Sequence, residues 1–199
     1  MTDPVLRLQA LERFGPLAVR QHTMEWAWHE SEDVPDQLPT TQCWGWLFVP
    51  DGRCIVLIDT KHRLPMLPGG TVEDQDADPS ETLEREADEE ARLTLGPTHY
   101  LGYLHDPTGD VYGGNGPCAR VRMAAAITHI GASRPDPATG YTMTRLLATP
   151  HEIVDLFGWG EQGRLQADAA VRASVELWDF PVASASAGIH EVPLEGSRP

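Results

Sequence analysis

The sequence predicts an α/β (α+β) sandwich, in which a mixed β-sheet is flanked by helices. Short segments with the two-residue alternation of strands, or with continuous apolar runs, recur along the chain between turn-forming residues. Three helix starts are recognisable, because a capping residue precedes a proline at Asp3-Pro4, Asp78-Pro79 and Thr149-Pro150. Hydrophobic residues make up 41% of the 199 residues, which is enough for one core of ordinary size.

Residues 1–40 are predicted to form an N-terminal extension with one helix and one strand. An amphipathic stretch that begins at Asp3-Pro4 is typical of a capped helix. The alternation of Met24, Trp26 and Trp28 with other residues then predicts a strand. We expect the extension to form a homodimer and to help cover a neighbour's site. The two tryptophans suit core or dimer packing, and the alternative is stacking on a base.

Residues 41–183 are predicted to form the main domain, in which a hairpin is followed by an acidic helix and by further strands and helices. The other predicted segments are, in order, the strands CWGWLFV, RCIVLIDT, HYLGYLH, CARVRMAAAITHI and YTMTRLLA and the helices PHEIVDLF and QADAAVRASVELW. The last segment, 184–199, is small, polar and proline-containing, so we expect a flexible tail.

Charge and composition argue against several function classes. The formal net charge of −15 disfavours a nucleic-acid-binding surface, because an acidic protein repels phosphate backbones. A small phosphorylated ligand is compatible with this charge when a metal cation lies between acid and phosphate. The three cysteines have no CxxC spacing, so we expect buried thiols in a reduced, cytoplasmic protein. We expect no membrane span and no signal peptide, because the sequence has neither pattern.

The stretch from Leu67 to Leu93 has a high density of carboxylates. Its helix is predicted to start with Asp78 as N-cap and to run without a breaker to Gly96. At roughly 100° per residue, three of its acids fall within an arc of about 100° at the edge of the face that packs on the sheet. These acids are Glu86, Glu89 and Glu90.

Three carboxylates that converge beside a core are typical of a site for a hard cation such as Mg²⁺, which prefers oxygen ligands. A purely structural helix would interleave lysines to relieve their repulsion. The preceding glycines allow a close backbone approach, and the carbonyl of Gly70 is a further candidate ligand. The alternative, a solvated acidic face, suits Glu81, Glu84 and Asp88.

The same stretch resembles a Nudix box. READEEARL places Arg85, the three glutamates and Leu93 in the register of that signature. LPGGTVE, with Gly70 and Glu73, is similar to the usual entry to the box. The resemblance extends more loosely over about Trp44 to Trp178.

Two departures from the signature affect the predicted site. The segment before Arg85 is one residue longer, so the loop glutamate falls on Ala77, or on Asp76 as a possible substitute. Arg92 replaces the box glycine. We expect Arg92 to pair with Asp88 at i,i+4, and Gly96 to end a slightly longer helix.

The resemblance implies the Nudix fold and a Nudix pyrophosphohydrolase, an acid anhydride hydrolase. Its substrate would be a small nucleotide with a diphosphate linkage, such as an ADP-ribose-like compound, a nucleoside-diphosphate sugar or a nucleoside triphosphate. The resemblance also implies Mg²⁺, or alternatively Mn²⁺, held by the three glutamates and the Gly70 carbonyl. Arg85 is expected to orient these acids by pairing with Glu73 or another carboxylate.

Relatives use a box glutamate or an acid of a later loop as general base. The candidates here are Glu89, Glu90 and Asp136, which is the acid of the loop SRPDPATG. The alternative role for Asp136 is that of a turn residue before a proline, which is the reading that we favour.

The substrate-binding candidates are Arg120, Arg122 and Glu73. The two arginines alternate on one face of a predicted strand after a glycine-rich loop, where they suit phosphate binding. The alternative is a pair of solvent-facing strand arginines. The sequence assigns no role to His62, His105 and His129, because they lack metal-ligand spacing.

A second function class is a catalytically inactive Nudix-fold module that senses a ligand or regulates a partner. The displaced loop acid keeps this alternative open. The intact glutamates of the box favour the enzyme, because an inactive site is free to lose them.

Overall fold

The computed structural model describes residues 26–30, 33–109, 116–137, 140–185, 188–197 and 199. These residues form nine strands and three helices. The strands are β1 (Ala27–His29), β2 (Thr40–Phe48), β3 (Cys54–Asp59), β4 (Leu64–Met66), β5 (Gly69–Thr71), β6 (Leu93–Asp106), β7 (Cys118–Ile130), β8 (Thr144–Ala148) and β9 (His190–Glu191). The helices are α1 (Pro79–Ala91), α2 (Pro150–Phe157) and α3 (Gly160–Trp178), and none of them is long and apolar enough to cross a membrane. The helix predicted after Asp3 lies outside the described residues.

The strands form one mixed sheet. They pair in the order β1-β6-β7-β2-β3-β8-β9, and β4 and β5 pair with β3 and β2. β2 runs parallel to β7, whereas the other pairs are antiparallel. Trp44 of β2 therefore lies between Arg122 of β7 and Gly69 of β5, which brings the predicted phosphate-binding strand close to the glycine pair.

Helices cover both faces of the sheet. Trp46 belongs to a core that includes Ile153 of α2 and Ala170 of α3. Leu47, the next residue along β2, belongs to a second core that includes Leu83 of α1. Because successive strand residues point to opposite faces, the two cores lie on opposite sides of the sheet. The predicted sandwich of a mixed sheet between helices is confirmed.

The two predicted helix starts that lie in the described residues agree with the structure. Asp78 accepts hydrogen bonds from the backbone N–H groups of Ser80 and Glu81, as an N-cap does. Thr149 and Glu152 form a reciprocal capping box at the start of α2. Local capping chemistry therefore sets both starts, which explains why the sequence alone identifies them.

The end of α1 differs from the prediction. The helix stops at Ala91 and not near Gly96, because Arg92 adopts the left-handed conformation with φ 55° and ψ 44°. Leu93 then enters β6 with a side chain that is buried, which requires the turn directly after Ala91. The expected ion pair between Arg92 and Asp88 is present.

The segment 184–199, predicted as a flexible tail, is packed in part. β9 pairs with β8, and the side chains of Ile189 and Val192 are buried. The Nη2 group of Arg145 also donates a hydrogen bond to the Pro193 carbonyl at 2.7 Å. The buried side chains of Ile189 and Val192 thus hold the segment against the sheet.

Candidate active site

The acidic edge of α1 faces a cavity. Glu86 and Glu90 lie one turn apart and both line this cavity. Leu83 and Ala87, on the neighbouring stripe, are buried against the sheet. Glu89 is not a lining residue, and its side chain is 31% exposed compared with 14% for Glu86. The predicted arc of three acids therefore divides into two that face the cavity and one beside it.

The glycines of β5 allow the acids to approach the sheet closely. The Gly69 N–H group donates a hydrogen bond to Glu90 Oε2 at 3.1 Å. A Cβ atom at position 70 would lie 2.3 Å from Glu86 Oε1, which is closer than real contacts allow. Gly70 is therefore needed for Glu86 to keep its place, and it lines the cavity beside that carboxylate.

Asp76 anchors the guanidinium of Arg85. Arg85 Nε lies 3.1 Å from Asp76 Oδ1 and Arg85 Nη2 lies 2.9 Å from Asp76 Oδ2. The Thr82 hydroxyl donates a further hydrogen bond to Asp76 Oδ2 at 2.9 Å. These hydrogen bonds, with that of Arg85 foremost, hold the pKa of Asp76 well below its ordinary value. Asp76, the possible substitute for the loop glutamate, therefore uses both of its carboxylate oxygens to bind Arg85.

Arg85 in turn contacts the acids of the box. Its Nη1 atom lies 3.0 Å from Glu86 Oε1 and 3.5 Å from Glu89 Oε2. Glu73, a predicted partner of Arg85, is farther away: its Oε1 atom lies 3.6 Å from Arg85 Nη1, and its side chain is 51% exposed. The orienting contacts therefore run from Asp76 through Arg85 to Glu86.

Burial makes the acidic edge electrostatically unfavourable. It raises the pKa of Glu90 well above its ordinary value and also raises the pKa of Glu86. The charges of Glu86, Asp136 and Glu89 shift the pKa of Glu90 in the same direction. Carboxylates that repel one another in a desolvated place are stabilised by a cation.

The donor chemistry of this edge fits a hard divalent cation, because carboxylate and carbonyl oxygens are the ligands that Mg²⁺ prefers. The side chains are not already gathered around such an ion. In the part of the chain that the structure describes, no group of three or more His, Cys, Asp or Glu side chains is arranged to hold a metal. Glu86 is instead held by Arg85, and Glu90 by the Gly69 N–H group.

The cavity has a volume of about 820 Å³ and reaches both helical layers. The acidic edge of α1 lines one part, and Gln162 and Gln166 of α3 line another. Three tryptophans, Trp26, Trp44 and Trp159, also contribute to its walls. Its size and its mixture of aromatic and polar groups are typical of a small-molecule site.

Arg120 and Arg122 line the same cavity. They are 3% and 5% exposed, so the alternative of two solvent-facing arginines is wrong. Arg120 Nε donates to Asp106 Oδ2 at 3.0 Å, and its guanidinium lies 4.5 Å from the centre of the Trp26 ring. Arg122 Nε donates to Gln166 Oε1 at 2.9 Å. Both arginines are thus held in fixed positions in the cavity wall.

Asp136 has the turn contacts that its position before a proline predicts. Its N–H group donates to the Tyr141 carbonyl, and its carbonyl accepts from Gly140, both at 2.8 Å. The side chain is buried and does not line the cavity. Its negative charge nevertheless contributes to the raised pKa of Glu90, so the carboxylate lies near the acidic edge.

Sequence reasoning missed Asp59 and His62. Asp59 ends β3 and His62 lies in the turn that follows; both line the cavity, and His62 Nδ1 lies 2.5 Å from Asp59 Oδ2. Spacing does not indicate them, because His62 stands at no metal-ligand interval from another histidine. The available signal was charge: Lys61, His62 and Arg63 are consecutive in a chain with a formal net charge of −15.

The sequence matches the family model described as NUDIX domain over residues 39–159. A structure described as a NUDIX hydrolase from Listeria monocytogenes has a TM-score of 0.50 and 16% identity, over 68% of this chain and 95% of that chain. A mutant of a Bacillus subtilis pyrophosphohydrolase has a TM-score of 0.48 and 18% identity, over 62% of this chain and 70% of that chain. A NUDIX hydrolase from Nitrosomonas europaea has a TM-score of 0.47 and 16% identity, over 73% and 99%. No curated protein matches the sequence.

Proposed function

From the premise that this chain belongs to the Nudix family, whose domain model matches residues 39–159, we propose that it catalyses the metal-dependent hydrolysis of a diphosphate linkage in a small nucleotide. The match confirms the predicted membership of the Nudix family. One observation carries the proposal for this chain: Glu86 and Glu90 share a cavity with Arg120 and Arg122. Such a cavity offers oxygen ligands for a cation and positive groups for phosphates.

Mg²⁺, or alternatively Mn²⁺, would be held by Glu86, Glu90 and the Gly70 carbonyl, with Glu89 close to them. When bound, the cation supplies neutralisation of the diphosphate charge and a lower pKa for a water molecule. Arg85 keeps Glu86 oriented through the hydrogen bond between Nη1 and Oε1.

Other side chains of the site bind the phosphates and accept the proton of the attacking water. Arg120 and Arg122 bind phosphate oxygens and orient the linkage relative to the acidic edge. The base that accepts the proton of the attacking water is Glu90, Glu89 or Asp136. Glu90 is our first choice, because among these three it is the one that lines the cavity.

Phosphate release from a nucleotide panel, coupled to a phosphatase, tests this function. The panel contains ADP-ribose, nucleoside-diphosphate sugars and nucleoside triphosphates, each with Mg²⁺, with Mn²⁺ and with a chelator. We expect metal-dependent turnover of at least one compound and a loss of about 100-fold or more in Glu90→Gln. Glu84→Gln, which changes an exposed acid of the same helix, is the matched control and should keep wild-type activity. Turnover without metal, or full activity in Glu90→Gln, would contradict the proposal.

An inactive module for ligand sensing or regulation is the second candidate. Asp76 favours it, because Arg85 and Thr82 engage both of its carboxylate oxygens and leave it poorly placed to replace the displaced loop acid. In this case a nucleotide of the panel raises the melting temperature, while no compound is turned over.

We also propose a homodimer formed through the extension 1–40, beside a main domain 41–183, and a cytoplasmic location. β1 is the edge of the described sheet, and an edge strand offers unpaired backbone groups to a second copy. The free, buried Cys43, Cys54 and Cys118 suit a reducing compartment. Light scattering of the full chain tests the dimer, because a monomer has a mass of 21.9 kDa.

A further inference from the structure

The turn between β3 and β4 concentrates positive charge in an acidic protein. Lys61 is the only lysine of the chain, and it is followed by His62 and Arg63. All three residues are exposed. Arg63 also has a φ of 55°, the left-handed conformation that favours glycine, so an arginine is kept where glycine would fit more easily.

Asp59 fixes the conformation of this turn. Its Oδ1 atom accepts hydrogen bonds from the N–H groups of Lys61, at 2.9 Å, and His62, at 3.1 Å. Its Oδ2 atom lies 2.5 Å from His62 Nδ1, and its side chain is only 13% exposed. The ring is therefore oriented through Nδ1, and in the described part of the chain Nε2 is the nitrogen left for a ligand.

The turn forms part of the rim of the proposed active site. His62 and Asp59 line the cavity that also contains Glu86 and Glu90. Lys61 Nζ lies 4.3 Å from the centre of the Tyr141 ring and contacts the hydroxyl of that residue. Tyr141 follows the loop that carries Asp136, so Lys61 connects the turn between β3 and β4 with that loop.

Charge balance indicates what this rim binds. The cavity already contains the carboxylates of Glu86 and Glu90, and Arg120 is paired with Asp106. A substrate with a phosphate beyond the cleaved linkage brings further negative charge into an acidic protein, which costs free energy without nearby cations. His62 lines the cavity, and the adjacent Lys61 and Arg63 add positive charge at this turn to supply that compensation.

We propose that Lys61, His62 and Arg63 form a second anion-binding subsite, which selects substrates that carry a phosphate beyond the cleaved diphosphate linkage, as nucleoside triphosphates do. The selection among substrates rests on the proposed function, whereas the binding of a polyphosphate does not. Asp59 is a positioning residue of this subsite, because it acts through His62.

Calorimetry with inorganic tripolyphosphate and with pyrophosphate tests the subsite without turnover. His62→Asn keeps an amide near the Nδ1 position, where it can still reach Asp59, but removes Nε2. We expect Lys61→Gln/His62→Asn to weaken tripolyphosphate binding about tenfold or more, because charge-assisted hydrogen bonds are lost, while pyrophosphate binding changes little. Arg164→Gln removes an exposed arginine of α3 and serves as the control for net charge. Equal weakening for both anions, or none, would overturn the proposal.

The single lysine permits an independent measurement on the unmodified sequence. An amine-reactive ester can acylate Lys61 and the N-terminal amine, and mass spectrometry separates the two products. Tripolyphosphate should slow acylation of Lys61 but not of the N-terminal amine. Unchanged rates at Lys61 under saturating tripolyphosphate would exclude contact with the anion.

Kinetics separate a failure of this subsite from a failure of the proposed function. In Lys61→Gln/His62→Asn, kcat/KM for a nucleoside triphosphate should fall about tenfold relative to that for a nucleoside-diphosphate sugar. Equal losses on both substrates would reject the subsite while leaving the hydrolase intact. If the wild type turns over no compound of the panel, the proposed function fails, and the two binding measurements still decide the subsite.

Discussion

Arg92 occupies a backbone position that favours glycine. Its φ of 55° lets its N–H group reach the carbonyls of Ala87 and Asp88 as the helix ends. A non-glycine residue in this conformation costs about 1 kcal/mol. The fold therefore keeps the geometry that the signature glycine suits, although the residue has changed.

Arg92→Gly should raise the free energy of unfolding by about 0.5–1 kcal/mol, because relief of the strained conformation outweighs an exposed i,i+4 ion pair with Asp88. Urea denaturation measures this difference. Arg92→Ala removes the same ion pair but keeps Cβ, so it should be slightly less stable than the wild type. Equal stabilities of the Gly and Ala variants would show that the conformation is not strained.

Asp106 predicts how stability changes in acid. Hydrogen bonds from the Gly109 N–H group and from Arg120 outweigh the effect of burial and lower the pKa of Asp106 to about 2. A lowered folded-state pKa means that the stabilisation is present above about pH 4 and is lost as the pH falls through about 2. The wild type should therefore lose about 2 kcal/mol over this window through this group alone.

The variant Asp106→Asn isolates this contribution. It should be less stable than the wild type at neutral pH by about 3 kcal/mol, because the charge of buried Arg120 loses its partner. Its disadvantage should shrink by about 2 kcal/mol between about pH 4 and pH 2. Chemical denaturation at several pH values gives both numbers, and a constant difference across the window would contradict the assignment. Asp88→Asn, which changes a partly exposed acid paired with Arg92 and Arg134, is the control and should show little change with pH over this window.

At the scale of elements, local signals predicted most elements but not their full extents: β6 and the helix Gly160–Trp178 both begin six residues before their predicted segments. β7 and α2 have the bounds of their predicted segments, because the alternation of a strand and the capping of a helix depend on residues that are close in sequence. The end of α1 depends on a residue that is distant in sequence. Leu93 pairs with Ile130, and the residues around Leu93 do not indicate that pairing. The grouping of Glu86, Glu89 and Glu90 was also predictable from residues close in sequence, since all three lie on one helix.

The rest of the site depends on contacts between separate elements. The sequence could not show that Asp76 rather than Glu73 is the closer partner of Arg85, because the loop between β5 and α1 decides it. It also could not place His62 at the cavity, since the turn between β3 and β4 reaches it only in three dimensions.

Arg145 of β8 joins three elements. Its Nη1 atom donates to the carbonyl of Ala91, at 2.9 Å, and of Gly131, at 2.8 Å, and Nη2 donates to Pro193. The residue is 2% exposed. It therefore ties the end of α1 to the loop after β7 and to the segment after β9.

Arg145→Met should destabilise the protein by about 3 kcal/mol, because three carbonyls lose a donor, one of them in a buried place and two in partly buried ones. Arg145→Lys keeps a cation with fewer and less directed donors, so its free energy of unfolding should lie between those of Arg145→Met and the wild type. Urea denaturation compares the three proteins. A loss below about 1 kcal/mol in Arg145→Met would show that water replaces the guanidinium.

At the scale of the whole molecule, the net charge of −15 and the partly buried Glu86 and Glu90 of α1 make the fold sensitive to cations. A cation that binds Glu86 and Glu90 in the folded state alone stabilises that state by mass action. At ten times its Kd, this amounts to about 1.4 kcal/mol, or roughly 3–6 °C in Tm for a chain of this size.

Mg²⁺ should therefore raise the Tm of the wild type by about 3–6 °C. Potassium chloride at equal ionic strength controls for screening of the net charge. Glu90→Gln should have a higher Tm than the wild type without metal, because a buried like charge is removed, and should respond to Mg²⁺ no more than to potassium. Equal shifts of the wild type with both salts would indicate screening and not a site.

The tryptophans in the cavity walls give the molecule an optical property. Trp26, Trp44 and Trp159 are three of its six indoles, and Trp159 is also in edge contact with Trp46 and Phe157. Ultraviolet emission from the protein therefore originates in large part at the cavity. A nucleobase that enters it would quench that emission, so the intrinsic fluorescence reports occupancy without any added dye.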